Sequence, residues 1–248
     1  MAEAPTPAGV DHAYRGVREA ILSGRLRAGQ SIPQVALATA LNVSRTPLRE
    51  ALRLLQAEGL IEARANQPMR VARMTLSSAE ELYAMRIPLE VAALRLSVPR
   101  LTADDLIELE HLRNAMAELA ERRDYKGWDA PHRRFHSTLT RRAGDRFALM
   151  IDQLIDQCSR FRRMFVERMW SGETEEEHAL LVDACAAHDA DRAAGLLAQH
   201  LGETAFALLR SVDPTYPATA LRATVEPLIG LPDQPARRYH GLSAVTPG

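Results

Sequence analysis

Cysteine is scarce in this 248-residue chain: there are two, Cys158 and Cys185. They form neither a regular ladder nor a CxxC pair, which excludes a disulfide-stapled scaffold. Two buried thiols in a reducing cytoplasm are the expectation. No uninterrupted apolar run approaches the ~20 residues that a membrane span needs. The opening MAEAPTPAGV carries neither a basic nor an apolar region, so no secretory signal is expected there. A fixed-period repeat and an HExxH metalloprotease motif are also missing, and net charge is nearly so, at −1.

What is present is ordinary in bulk and uneven in distribution. Hydrophobic residues make up 46% and charged residues 25%, which fits a soluble globular protein of one large or two modest domains. Residues 1–75 hold 10 arginines against 6 acidic residues, whereas residues 76–211 hold 18 basic and 23 acidic residues. A basic first third ahead of an acidic body suits a module that meets an anionic partner.

Apolar spacing gives the organisation. Val10, Tyr14, Val17 and Ile21 predict a helix ending near Gly24; QVALATAL predicts a short second helix closed by Asn42. SRTPLREALRLLQAEG predicts a third, with Ser44 and Thr46 as competing caps. LIEAR and MRVARM, joined by Ala65-Asn66-Gln67-Pro68, predict a hairpin. From there six helices are expected, near 78–99, 103–123, 125–143, 146–170, 174–188 and 190–211. Ser78 with Glu81, Thr102 with Asp105 and Thr174 with Glu177 serve as their capping pairs. The fold class expected is mainly α. A winged helix-turn-helix over 8–75 precedes an antiparallel six-helix bundle over 76–211, and a proline-rich irregular tail follows over 212–248.

In the third helix Leu48, Ala51, Leu52 and Leu55 form one apolar face, while Arg45, Arg49, Arg53 and Gln56 run along the other. Arginine pairs bidentately with guanine in the major groove, and Ser44, Thr46 and backbone N–H groups can hold phosphates. Arg64, Asn66 and Arg70 sit at the hairpin, placed for the DNA backbone or minor groove. Spacing alone fits a solvated arginine face equally well. The order helix, turn, arginine-rich helix, hairpin favours DNA.

ILSGRLRAGQSI, VSRTPLREALRLLQAEGLI and the hairpin resemble the DNA-binding domain of the GntR family of bacterial transcription regulators, over about residues 12–73. The resemblance implies that Arg45, Thr46 and Arg49 read or position a two-fold operator as part of a homodimer. Two departures stand out: Val35 occupies a position where many relatives carry arginine, and Ala65-Asn66 replaces a glycine pair in the wing.

Histidines mark the bundle. His132 and His136 lie one helical turn apart with Phe135 and Leu139; His178 leads Leu181, Val182 and Cys185; His200 follows Leu196 and Leu197. All four are expected on apolar faces, and His111 and His188 on the surface. Buried imidazoles need partners for both ring nitrogens, so the set is either four separately bonded core residues or the ligands of a divalent zinc, nickel or copper ion. Arg86 with Glu90 makes either a helical i, i+4 pair or a guanidinium beside a carboxylate ligand.

RIPLEVAALRLSV, the Phe135-His136 and Glu177-His178 pairs and the His200 turn resemble the FCD effector domain of the FadR subfamily, over about residues 78–211. That resemblance implies a metal, zinc or nickel, held by three histidines matching His136, His178 and His200, with an aspartate four residues before the first. That position is His132 here, and Asp129 is placed to orient its ring. The six-helix count resembles the VanR type. The reading is a cytoplasmic, ligand-responsive DNA-binding repressor that senses a small carboxylate at the metal site near Arg86, with no membrane association. The alternatives are a metalloregulator answering to the metal itself and a metal-dependent hydrolase with Glu177 as base.

Overall fold

The computed structural model describes residues 7–64, 67–169 and 173–229, without the side chains of 7, 164–169, 173 and 174. Helix α1 (Pro7–Leu22) runs out at Gly24, whose φ of +76° is a left-handed conformation that favours glycine. Helix α2 (Gln34–Ala40) ends before Asn42, at φ +51°. Helix α3 (Arg45–Ala57) takes the Ser44 register, with Ser44 at the N-cap position. Pro47 then falls in the first turn, where its missing N–H would have had no helical partner.

Strands β1 (Ile61–Glu62) and β2 (Arg70–Val71) pair antiparallel in the register Ile61 with Val71 and Glu62 with Arg70. The wing tip, Ala65 and Asn66, lies outside the described residues. A small core of Val17, Ile21, Leu48, Leu52, Leu55, Ile61 and Val71 joins α1, α3 and the hairpin. Each fully buried leucine there contributes ~1.5–3 kcal/mol of transfer free energy.

All six expected helices follow: α4 (Leu76–Ser97), α5 (Ala103–Glu121), α6 (Tyr125–Thr140), α7 (Asp145–Met169), α8 (Glu173–Ala186) and α9 (Ala190–Val212). They enclose a second, larger core that includes Tyr83, Ile87, Leu94, Phe135, Leu139, Leu181, Leu197 and Leu209. Caps set two of the boundaries. Thr75, rather than Ser78, begins α4: its hydroxyl accepts from the Ser78 N–H at 3.1 Å, and the Ser78 hydroxyl accepts from the Thr75 N–H at 2.9 Å. Ser78 is therefore the third residue of the box, and Glu81 bonds Ser77 instead. Thr102 and Asp105 form the expected box on α5. The side chain of Thr174 lies outside the described residues.

The tail departs from its expected irregularity. Residues Thr219–Ile229 form a further helix, α10, packed on α4 and α9. Its prolines mislead because Pro214 and Pro217 precede the helix and Pro227 sits near its end. Leu221 and Val225, one turn apart, are buried in the bundle core. Glu80 of α4, itself buried, docks the new helix. Its carboxylate accepts from the Tyr216 hydroxyl at 2.7 Å and from the N–H groups of Ala220 at 2.7 Å and Leu221 at 3.1 Å. A carboxylate at a helix N-terminus satisfies otherwise orphaned donors and complements the helix dipole.

Candidate functional site

Two groups of residues stand out, one in each core's neighbourhood. On α3 the side chains of Ser44, Arg45, Thr46, Arg49 and Arg53 are all exposed, on the face opposite Leu48, Ala51, Leu52 and Leu55. Among the described residues Arg45 and Arg49 make no ion pair, whereas Arg53 is held by Glu50 at 2.8 Å. Arg64 is exposed beside the wing tip. Arg70 is half-buried and donates to the Gly29 carbonyl at 3.1 Å, so it also braces the turn before α2.

The bundle interior gathers His132 and His136 of α6, His178 of α8 and His200 of α9. All four are buried, and one ring nitrogen from each lies within 4.8 Å of the others. Nε2 of His136 and Nε2 of His132 are 3.2 Å apart. Two carboxylates set ring orientation. Glu90 Oε2 lies 3.1 Å from Nδ1 of His136, and Glu177 Oε2 lies 2.7 Å from Nδ1 of His200. An ionised carboxylate only accepts, so each Nδ1 carries the proton and each Nε2 lone pair is left for the cluster.

Burial decides the charge of these rings. It pushes His132 and His178 well below the usual histidine range. It also takes His136 to about 4, against the upward pull of Glu90, and His200 to about 4. All four are neutral near pH 7. Yet among the described residues Nδ1 of His132 and both nitrogens of His178 have no hydrogen-bond partner, a costly arrangement in a core. Four neutral imidazoles, each with a ring nitrogen within 4.8 Å of the others, are the donor set of a divalent transition metal, and the residues present fit one.

The surroundings hold what the sequence left open. Arg86 is buried and ion-paired with Glu90, while among the described residues its Nη2 and the buried Tyr83 hydroxyl have no hydrogen-bond partner. Burial pushes the Glu90 carboxyl up, but Arg86 and His136 pull it down to about 2. Asp129 does not orient His132. One oxygen accepts from Arg162 Nη2 at 2.6 Å and the other pairs with Arg163, both on α7. What flanks His132 instead is Trp128, stacked on it with centroids 4.2 Å apart, and Arg162 lies over the Trp128 ring at 5.4 Å. Neither Trp128 nor Arg162 was singled out by sequence. Trp128 precedes His132 by one turn, and that spacing was the available signal. His111 and His188 are exposed, as expected.

Comparison with known proteins places both halves. Residues 10–71 match the model of the bacterial regulatory proteins of the gntR family, and residues 81–203 match the FCD domain. An uncharacterized HTH-type transcriptional regulator of Paraburkholderia xenovorans, BphR, is 30% identical over 209 residues, covering 81% of this chain and 85% of that protein. The chain belongs to the GntR family. It is thus a DNA-binding transcriptional regulator of that family and not an enzyme. A second GntR-type relative, the HTH-type transcriptional repressor GlaR of Escherichia coli, is 27% identical over 76% of this chain and 90% of its own. The solved structure of E. coli McbR/YncC shares the fold, with a TM-score of 0.75 at 24% identity over 84% of this chain and all of that one. The gntR match spans α1 to β2, and the FCD match runs from α4 into α9, enclosing all four histidines.

Proposed function

We propose that this regulator binds a two-fold operator as a homodimer and acts as a repressor in the cytoplasm. In this reading a divalent metal, zinc or nickel, sits among His132, His136, His178 and His200, and a small carboxylate is the signal. The observation that carries it is the convergence of four buried, neutral imidazoles whose facing nitrogens lie within 4.8 Å of each other. Arg45, Thr46 and Arg49 lie in the major groove, Ser44 and Arg53 meet phosphates, and Arg64, Asn66 and Arg70 serve the wing. Exposed apolar residues on α4 (Met85, Leu96) and α7 (Leu149, Met150) supply material for self-association.

A divalent metal held by these four histidines would supply Lewis-acid character to the cavity. The chain's own residues do the rest. Glu90 and Glu177 hold two rings in the correct tautomer, and Arg86 offers an unused guanidinium N–H to a carboxylate. Tyr83 adds a hydroxyl without a partner. One observation favours a second reading. Four protein donors are the number that a closed structural zinc site takes, and a site so filled would make the metal itself the signal.

Elemental mass spectrometry on untagged protein tests the site. About one transition metal per chain is expected, with loss in His136→Ala, His178→Ala and His200→Ala. No metal after zinc or nickel is added would return the rings to core packing. DNA affinity measured with metal alone, then with metal and a panel of small carboxylates, separates the two signals.

A further inference from the structure

Helix α7, packed within the bundle, also meets α1 of the winged half. Near its middle Asp156, a buried residue, pairs with two arginines of different origin: Arg18 of α1 in the winged domain and Arg133 of α6 in the bundle. Arg133 is the residue immediately after His132. One turn along α7, the buried Arg160 donates from Nη2 to the carbonyl of Ala72, just past the hairpin, at 2.9 Å. Arg162 then turns toward the histidines, bonding Asp129 and lying over the ring that stacks on His132.

A carboxylate has enough lone pairs for two guanidinium groups, so Asp156 serves both arms at once. Buried as it is, it is poorly served by water, and displacement of one arm changes its hold on the other. Any ligand that moves α6 by engaging His132 and His136 moves Arg133 with it. Among the described residues, Asp156 and the Arg160–Ala72 bond tie α7 to the winged half by polar contacts.

We propose that Asp156 is a positioning residue, coupling the seat of the DNA-reading domain to the state of the histidine cluster through Arg133 on one side and Arg18 on the other. This rests on the reading of the cluster as a ligand site. Coupling of this kind is reciprocal: DNA that selects one seat of the winged domain changes the cluster's affinity for its ligand by the same factor.

The test is hydrogen exchange of the α1 amides in the full chain, with and without saturating zinc, in the wild type, Arg133→Gln and Arg18→Gln. Neither substitution touches a histidine. Zinc should change wild-type α1 exchange by about fivefold or more. In Arg133→Gln, zinc should still protect α6, α8 and α9 while leaving α1 unmoved. The proposal is overturned if α1 responds equally in Arg133→Gln. It is also overturned if zinc protects the bundle of the wild type without reaching α1. If zinc protects nothing, the metal reading fails, and the metal-free proteins decide the coupling. There Arg133→Gln must speed α1 exchange as Arg18→Gln does, and a wild-type rate in Arg133→Gln refutes it.

Discussion

Glu90→Gln keeps the volume of a fully buried side chain and removes the charge that faces Arg86 and His136. Stranding one member of a buried ion pair costs ~3–5 kcal/mol. Arg86 and His136 pull the Glu90 carboxyl down to about 2 despite its burial, so the folded chain favours the charged form. Because the folded pKa is lowered, this stabilisation is complete above the ordinary carboxylate range and fades as pH falls toward about 2. At pH 7.5 the whole loss, ~3–5 kcal/mol, should therefore appear. The assay is urea unfolding of the metal-free chain, followed by tryptophan fluorescence, to which Trp128, stacked on His132, contributes beside Trp170. Arg86→Met in the same chain as Glu90→Gln removes the stranded charge, so the double variant should be no less stable than Glu90→Gln alone. A single variant within ~1 kcal/mol of wild type, or strictly additive losses, would refute the reasoning.

Arg49→Ala should weaken operator binding and relax its sequence preference, whereas Arg53→Ala should weaken binding to any duplex and lower the salt slope by about 1 or less, because Glu50 already engages it. Anisotropy titrations over a range of salt compare the two, and equal losses would count against the assignment. Glu80→Ala strands the N–H groups of Ala220 and Leu221 at a cost of ~1–3 kcal/mol each. Exchange protection at Leu221 should then collapse while that of α5 and α6 persists; retained protection would mean that apolar packing alone docks α10. Glu177→Gln should weaken metal affinity ~10–100-fold through the loosened His200 ring, read by competition with a chromogenic chelator. Unchanged affinity would free His200 from that partner.

The winged helix and the six bundle helices were legible because each has a long apolar stripe at helical spacing. The histidines stood out because they occupy positions on those stripes that hydrophobic residues would otherwise fill. Position along one helix was enough to bring His132 and His136 to the same face as Phe135 and Leu139. Contacts between distant elements were not legible. Asp129 is one turn from His132, but its direction is set by Arg162 and Arg163, more than thirty residues later in the chain. Glu90 reads as the helical partner of Arg86, and nothing local announces that it also meets His136, 46 positions away. Helix α10 was hidden by its prolines, since three turns with two strongly buried residues give little periodic signal. Its anchor, Glu80, lies about 140 positions earlier.

That anchor bears on how the chain is made. Among the described residues the apolar core of the winged domain is made wholly of residues up to Val71. The bundle has the opposite logic: its first helix, α4, finds its partners in α9 and α10, at the far end of the described chain. With synthesis running at about 5–20 residues per second, the 150 or so residues between the two take roughly 10–30 s to emerge. During that interval a DNA-binding domain is finished while its helical bundle still lacks α9 and α10. A message cut short before α9 would therefore release a small basic domain with arginines exposed on α3 and no bundle to answer to.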